Sequence, residues 1–333
     1  QERDMRYSIT ATLGPSTAHP GHWTALSQAG AGRFRLNVSH LSPEETEVWL
    51  RRIVDAFSPR ESPPVIVDLQ GSKWRIGDIS PRHLSPGDSV TLAYRPDNAL
   101  ENSLPGVFPV PHRDFFRALE TGDGRVLVND ARVELAVETV REYQAFCRVL
   151  RGDHLEPRKG LTIPGSEFRT EGLQERDREV VRHAKGFPNV SFALSYVRDS
   201  MEMKRFCRDL GEGSSAIAKI ERRDAVDDAE RIAAVANEVW LCRGDLGAEL
   251  GLRQMAQAVY DFTQLLPSLA APAVMAGQVL EHMTRHPEPT RSEVCHLYDI
   301  LKGGFQGIVL SDETAIGLHP VESCRAAAFF LSE

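Results

Sequence analysis

Apolar and polar positions follow two rhythms along this chain, and the places where the rhythm changes mark its organisation. Short apolar runs over 9–13, 33–38 and 65–69 read as strands, while residues spaced for one helix face recur over 22–29 and 43–57. Strands alternating with helices predict right-handed βαβ units and a parallel sheet. From residue 78 to about 161 turn signals dominate: Ser85-Pro86-Gly87-Asp88, Arg95-Pro96-Asp97-Asn98 and Thr121-Gly122-Asp123-Gly124. Short β-rich runs over 89–93, 125–128 and 133–137 lie between them, which predicts an inserted all-β domain. After Pro164 the alternation returns, with strands over 190–196, 215–220, 238–242, 271–276 and 307–310. Helices are expected over 174–184, 200–210, 224–235, 252–266, 292–302 and 320–331. The class is α/β, and strands and helices in this order can close into a barrel whose chemistry belongs at the C-terminal strand ends.

Bulk properties narrow the partners more than the fold. The chain has 333 residues, which suits one barrel with a small second domain. Lys and Arg number 39 against 47 Asp and Glu, a net charge of −8 that argues against nucleic acid and requires any phosphate site to be locally basic. The five cysteines, Cys147, Cys207, Cys242, Cys295 and Cys324, show no metal spacing and leave one unpaired, so reduced thiols in a cytoplasmic protein are expected. No run approaches the roughly 20 apolar residues of a membrane span, and nothing resembles a signal peptide.

The chemistry concentrates in two short stretches. Ala218-Lys219-Ile220-Glu221-Arg222 ends one expected strand, and Arg243-Gly244-Asp245-Leu246-Gly247 follows the next. Glu221 and Asp245 are thereby expected side by side. Two hard oxygen ligands with water in the remaining positions suit Mg²⁺ or Mn²⁺, whereas zinc would want His or Cys at short spacing. An ordinary ion pair at a strand end would use the same residue types.

Further segments carry a resemblance. Arg33-Phe34-Arg35-Leu36-Asn37-Val38-Ser39-His40, Val65-Ile66-Val67-Asp68-Leu69-Gln70-Gly71 with Arg75, Pro289-Thr290-Arg291-Ser292-Glu293, and Leu310-Ser311-Asp312-Glu313-Thr314-Ala315 resemble the catalytic-domain motifs of the pyruvate kinase family, in order and at suitable spacing. The resemblance runs from about Ile9 to the end, loosely in the middle third. It implies a (β/α)₈ TIM barrel with parts at 1–76 and 162–333, a small lid domain inserted at 77–161 after strand three, and phosphoryl transfer between phosphoenolpyruvate and ADP through a metal-bound enolpyruvate. The family's C-terminal regulatory domain is expected to be absent, and with it the usual tetramer; a smaller homo-oligomer is the expectation.

By the same resemblance, Arg35 would lie beside the transferring phosphoryl group, Lys219 would stabilise its oxygens and the enolate, and Ser311 would hold a proton-relaying water. Glu221 and Asp245 would hold the divalent metal. The amides of Arg243, Gly244 and Asp245 would receive the substrate carboxylate, with Gly277 beside the methyl carbon. His40, Arg75, Asp130 and Lys159 would line the nucleotide side. Asn37, Ser39, Asp68 and the carbonyl of Leu69 match the monovalent-cation site. Leu69 and Lys73, however, stand where potassium-dependent members have Thr and Glu, so the Lys73 ammonium is expected to replace K⁺.

Other departures keep the function open. Met275-Ala276-Gly277-Gln278 replaces the family's Ala-Thr-Gln, so the threonine hydroxyl near the protonated carbon is missing and space beside that carbon is expected. Ser72, Ala131 and Asp312 stand where the family has Pro, Gly and Gly. Three readings therefore compete. The first is a pyruvate kinase-like phosphotransferase. The second is a metal-dependent aldolase or decarboxylase acting on pyruvate or another 2-oxo acid through a metal-bound enolate. The third is a non-catalytic sensor of a phosphorylated metabolite.

Overall fold

The computed structural model describes residues 6–57, 62–96, 106–164, 166, 169–170 and 172–331. The turn expected around Asp97 and Asn98 lies outside them. By their contacts the residues form two units, one of Gln1–Gly71, Gly172–Gly244 and Ala256–Glu333, the other of Ser72–Glu171 and Asp245–Met255.

In the first unit β1 (Ser8–Leu13), β2 (Arg33–Asn37) and β3 (Val65–Leu69) belong to a closed parallel barrel. The inserted chain then supplies β4 (Arg82–His83), β5 (Ser89–Tyr94), β6 (Val107–Val110), β7 (Arg125–Val128), β8 (Val133–Arg141), β9 (Gln144–Arg151), β10 (His154–Leu155) and β11 (Leu161–Thr162). The barrel resumes with β12 (Val190–Leu194), β13 (Ser215–Ile220), β14 (Glu238–Cys242), β15 (Ala273–Ala276) and β16 (Gly307–Leu310), and closes in the order β1-β16-β15-β14-β13-β12-β3-β2. The (β/α)₈ TIM barrel is thus observed.

The helices are α1 (Pro20–Gln28), α2 (Pro43–Ala56), α3 (Arg113–Ala118), α4 (Glu175–Ala184), α5 (Ser200–Leu210), α6 (Arg223–Asp227), α7 (Ala229–Ala233), α8 (Arg243–Leu250), α9 (Leu252–Leu265), α10 (Arg291–Lys302), α11 (Asp312–Ala315) and α12 (Pro320–Ala327). Local chemistry sets several of their ends. Ser42 and Glu45 form a reciprocal capping box before α2, as do Thr290 and Glu293 before α10, satisfying amides that a helix start leaves without partners. The single helix expected over 224–235 is two: Asp228 interrupts it at φ −105°, ψ 13°, and its carboxylate instead accepts the Ser200 amide at 2.7 Å.

The barrel interior alternates as a pleated strand requires. Ile66, Ala193, Ile217, Trp240, Val274 and Val309 pack together inside it. Toward its N-terminal face Arg33 pairs with Glu238 at 2.7 Å and reaches Thr10 and Ser8. Polar inward positions at the other strand ends make the candidate site.

In the second unit a six-stranded sheet, β11-β7-β8-β9-β5-β6, and the short pair β10-β4 surround a core that includes Trp74, Phe108, Phe115, Phe116 and Leu135. One short helix, α3, packs with them through Phe115 and Phe116.

Candidate active site

Five consecutive barrel strands, β13, β12, β3, β2 and β1, bring polar side chains together where they end. Strand pairing sets the register, with Thr12 opposite Arg35 and Asn37 opposite Asp68. Arg35 directs Nε and Nη2 to one oxygen of Asp68, at 2.7 and 2.5 Å, while Nη1 donates to Thr12 Oγ1 at 3.0 Å. Lys219 Nζ lies 3.2 Å from the same Asp68 oxygen and 3.0 Å from Glu221 Oε1, and donates to Ser195 Oγ at 2.9 Å. Ser195 in turn donates to Asp68 Oδ1 at 3.2 Å. Glu221 accepts the Tyr196 amide at 2.7 Å. Tyr196 holds that amide in place with φ 62°, a left-handed conformation costly for a bulky residue.

Asp68, Lys219 and Glu221 are all buried. Burial opposes the charge on Lys219, but Asp68 and Glu221 more than offset it, and the ammonium is held well above the ordinary lysine value. Burial opposes Arg35 too, and Asp68 more than compensates, so its guanidinium is held above its usual value. For Asp68 the desolvation that would raise its pKa is overcome by Lys219 and Arg35, which keep the carboxyl below the ordinary range. Lys219, Arg35 and Asp68 therefore stay charged together, with Glu221 buried beside them. Such a cluster offers two cations to an anion, whose oxygen could replace one of the acceptors around Lys219.

One further buried carboxylate fixes backbone around this cluster. Asp177, on α4, accepts the amides of Gln70 and Gly71 at 3.1 and 2.9 Å where the chain leaves β3. Burial nevertheless pushes Asp177 up to about 6. Gly71 has φ 60°, and a β-carbon there would come within 2.3 Å of the Ser195 carbonyl, so this turn accepts only glycine. The Leu69 carbonyl, read as a cation ligand, accepts the Ser195 amide at 3.3 Å. Asn37 accepts the Ser39 amide at 3.3 Å, which caps the short helix Val38–His40.

Gly277 and Arg243 form a second cluster, at the ends of β15 and β14. Gly277 has φ 87°, and a β-carbon would meet the Gly244 amide nitrogen at 3.1 Å. The space expected beside Gly277 is therefore bounded at that point by the backbone of Arg243 and Gly244. Arg243 donates to the Gly277 carbonyl at 3.0 and 2.7 Å and to the Gln278 carbonyl at 2.9 Å. Replacing Gly277 with alanine should cost about 1–2 kcal/mol in urea unfolding, because it adds left-handed strain to a close contact; unchanged stability would mean the turn can relax. Ser311 follows β16, its amide held by Glu313 at 2.7 Å.

In the second unit Lys73, buried, places Nζ 2.5 Å from Asp245 Oδ1. Arg75 donates to the Arg158 carbonyl at 2.9 Å and bridges to Gly160. Lys159 lies 3.0 Å from Glu156. Asp130 is exposed in a turn, Asn129, Asp130 and Ala131, whose three φ values are 55°, 51° and 63°. His40 ends its short helix in the first unit and is exposed.

For a metal, the available donors are hard oxygens. Among the described residues no group of three or more His, Cys, Asp or Glu gathers as a metal cage; Glu221 and Asp245 are the carboxylate pair read from the sequence. That set fits a hydrated Mg²⁺ or Mn²⁺ and not zinc. Glu221 belongs to the first unit and Asp245 to the second, and their pairing rests on the sequence.

Sequence reasoning passed over Thr12, Ser195, Tyr196 and Asp177. A single Ser or Thr at a strand end looks the same in sequence whether it faces the barrel or solvent. Only the positive φ of Tyr196 and the burial of Asp177 distinguish them, and neither is readable in one dimension.

A closed barrel with a buried cation and carboxylate cluster at its C-terminal strand ends defines a (β/α)₈ protein of the enzyme type. The profile described as pyruvate kinase, barrel domain, matches residues 4–324. The chain belongs to the pyruvate kinase family. It is 31% identical to a pyruvate kinase of Agrobacterium vitis, covering 96% of this chain and 66% of that protein. It is 32% identical to pyruvate kinase 2 of a Synechocystis strain, covering 97% and 56%, and 32% identical to a pyruvate kinase of Methylorubrum extorquens, covering 97% and 67%. The chain thus spans between about half and two thirds of the length of these relatives. Among the described residues no helix is long and apolar enough to cross a membrane.

Proposed function

We propose that this chain transfers a phosphoryl group between phosphoenolpyruvate and ADP. The observation that carries the reading is the convergence of Arg35 and Lys219 on the buried Asp68, two charged cations held ready on one carboxylate. Phosphoryl transfer depends mainly on positioning and on neutralising charge, and both are preorganised here. Membership in the family and the names of the relatives favour this reading over the lyase and the sensor.

Lys219 would bond an equatorial phosphoryl oxygen and then the enolate oxygen as the phosphoryl group leaves. Arg35, held in place by Asp68 and Thr12, would orient the same group. Ser195 and Asp68 hold Lys219 in one rotamer, so that little reorganisation is needed at the moment of transfer. The amides of Arg243, Gly244 and Asp245, at the first turn of α8, would take the substrate carboxylate. Glu221 and Asp245 would hold a Mg²⁺ or Mn²⁺, which when bound supplies Lewis-acid charge to substrate oxygens. Arg75, Asp130, Lys159 and His40 would contact the nucleotide.

Lys73 would carry the positive charge that a monovalent cation otherwise supplies. ATP formation should therefore change by less than about twofold when tetramethylammonium replaces K⁺ as the only added monovalent cation, since a fixed ammonium needs no filling from solution. The measurement is initial rate with Mg²⁺, phosphoenolpyruvate and ADP. A large K⁺ activation would show that Lys73 does not play this part, while ATP formation itself tests the phosphotransferase reading.

A further inference from the structure

Glu313 is fully buried, yet it touches none of the groups just given roles as phosphoryl or metal contacts. Its two oxygens serve two different strand ends. Oε1 accepts the Leu280 amide at 3.0 Å, in the segment that follows β15, and Oε2 accepts the Ser311 amide at 2.7 Å, directly after β16. One carboxylate thus ties Ser311 to the segment 277–280. That segment is left-handed at Gly277, φ 87°, which glycine tolerates, and at Gln278, φ 54°, where a non-glycine residue costs on the order of 1–2 kcal/mol. Arg243 holds its near end through the Gly277 and Gln278 carbonyls, and Glu313 holds its far end. Strain at Gln278, held between Arg243 and the buried Glu313, points to a placement the site requires.

We propose that Glu313 is a positioning residue that sets Ser311 against the strained turn at 277–280 for proton delivery to the methylene carbon of enolpyruvate. The inference rests on the phosphotransferase reading. In the step, the carbon takes the proton of the Ser311 hydroxyl, the enolate oxygen closes to a carbonyl, and Ser311 regains a proton from solvent. Glu313 takes no part in bond making. Its ionised form accepts both amides at once, whereas its protonated form sets a hydroxyl against one of them.

The groups facing Glu313 are Arg243 from the start of α8, Glu281 from the short helix Glu281–Thr284, and Cys324 from α12. Burial pushes Glu313 up to about 7 despite the amides, and Glu281 adds to the rise. The positioned form is therefore lost as pH falls through about 7. Folding stability moves the other way: a carboxyl raised on folding makes the protein less stable as pH rises from about 4 toward 7. Proton delivery and stability should thus have opposite pH slopes.

The test compares the wild-type protein with Glu313→Gln in two assays with Mg²⁺: ATP formation from phosphoenolpyruvate and ADP, and exchange of pyruvate methyl protons in D₂O followed by proton NMR. The expected result is exchange lowered about tenfold or more and ATP formation lowered less than about threefold. Wild-type exchange should rise through about pH 7, and the variant should lose that rise. Glu313→Asp keeps the charge but reaches one amide at a time, so it should show an intermediate loss of exchange with the pH dependence retained; it carries the test if the Gln variant does not fold. Equal loss in both assays, unchanged exchange, or a pH rise that survives in Glu313→Gln would overturn the proposal. A wild-type protein that exchanges pyruvate protons but makes no ATP would instead refute the phosphotransferase reading.

Discussion

Lys219→Met is expected to reduce ATP formation by at least two to three orders of magnitude with the fold intact. One preorganised charge on a transferring phosphoryl group is worth roughly 3–4 kcal/mol in the transition state, and methionine fills most of the lysine volume without that charge. The loss should fall on kcat more than on KM for phosphoenolpyruvate, because the charge is needed most as the bridging oxygen departs. Single-turnover quench experiments at saturating substrate check this directly. A variant within tenfold of wild type would mean that Lys219 serves only to neutralise Asp68 and Glu221.

Asp68→Asn should have the largest effect on stability. Asp68 is buried and accepts from Arg35, Lys219 and Ser195 together. The amide leaves two buried cations short of a counter-charge, and breaking a buried pair from one side costs about 3–5 kcal/mol. Urea unfolding at neutral pH measures it; a change under about 1 kcal/mol would show that water reaches the cluster and replaces the carboxylate. The pH dependence follows the same sign. Asp68 is held below its ordinary pKa, so its contribution is present above about pH 4 and disappears as pH falls through the lower folded value.

The barrel was legible because its strands are buried on both faces and their apolar runs are interrupted by helical spacing: β3, β13, β14 and β16 match the expected 65–69, 215–220, 238–242 and 307–310. The break at Asp228 was not, since it depends on the Ser200 amide, a partner 28 residues away in sequence. Likewise β9, Gln144–Arg151, was passed over: it buries Ala145, Cys147 and Val149 but exposes Phe146 and Leu150, so its apolar residues do not mark one face. At the site, Arg35, Lys219 and Glu221 stand out as charges at strand ends. Asp68 was assigned to the monovalent-cation set with Asn37, Ser39 and Leu69, but its carboxylate is engaged by Arg35 and Lys219. Lys73, placed in that set, pairs with Asp245. Nothing in the local sequence of either residue names its charged partner; strand register and the turn after β3 decide it. For Gly277 the missing side chain was plain, while its left-handed backbone and closeness to the Gly244 amide came only with the folded chain.

The most direct measurement follows the phosphorus itself. Phosphoenolpyruvate labelled with ³²P is incubated with the protein, ADP and Mg²⁺, and the products are separated by ion exchange. Label in the γ-phosphate of ATP, in one-to-one ratio with pyruvate, is the predicted result. Label that stays in phosphoenolpyruvate, or passes to inorganic phosphate without ATP, would contradict the account even if the protein exchanges the methyl protons of pyruvate.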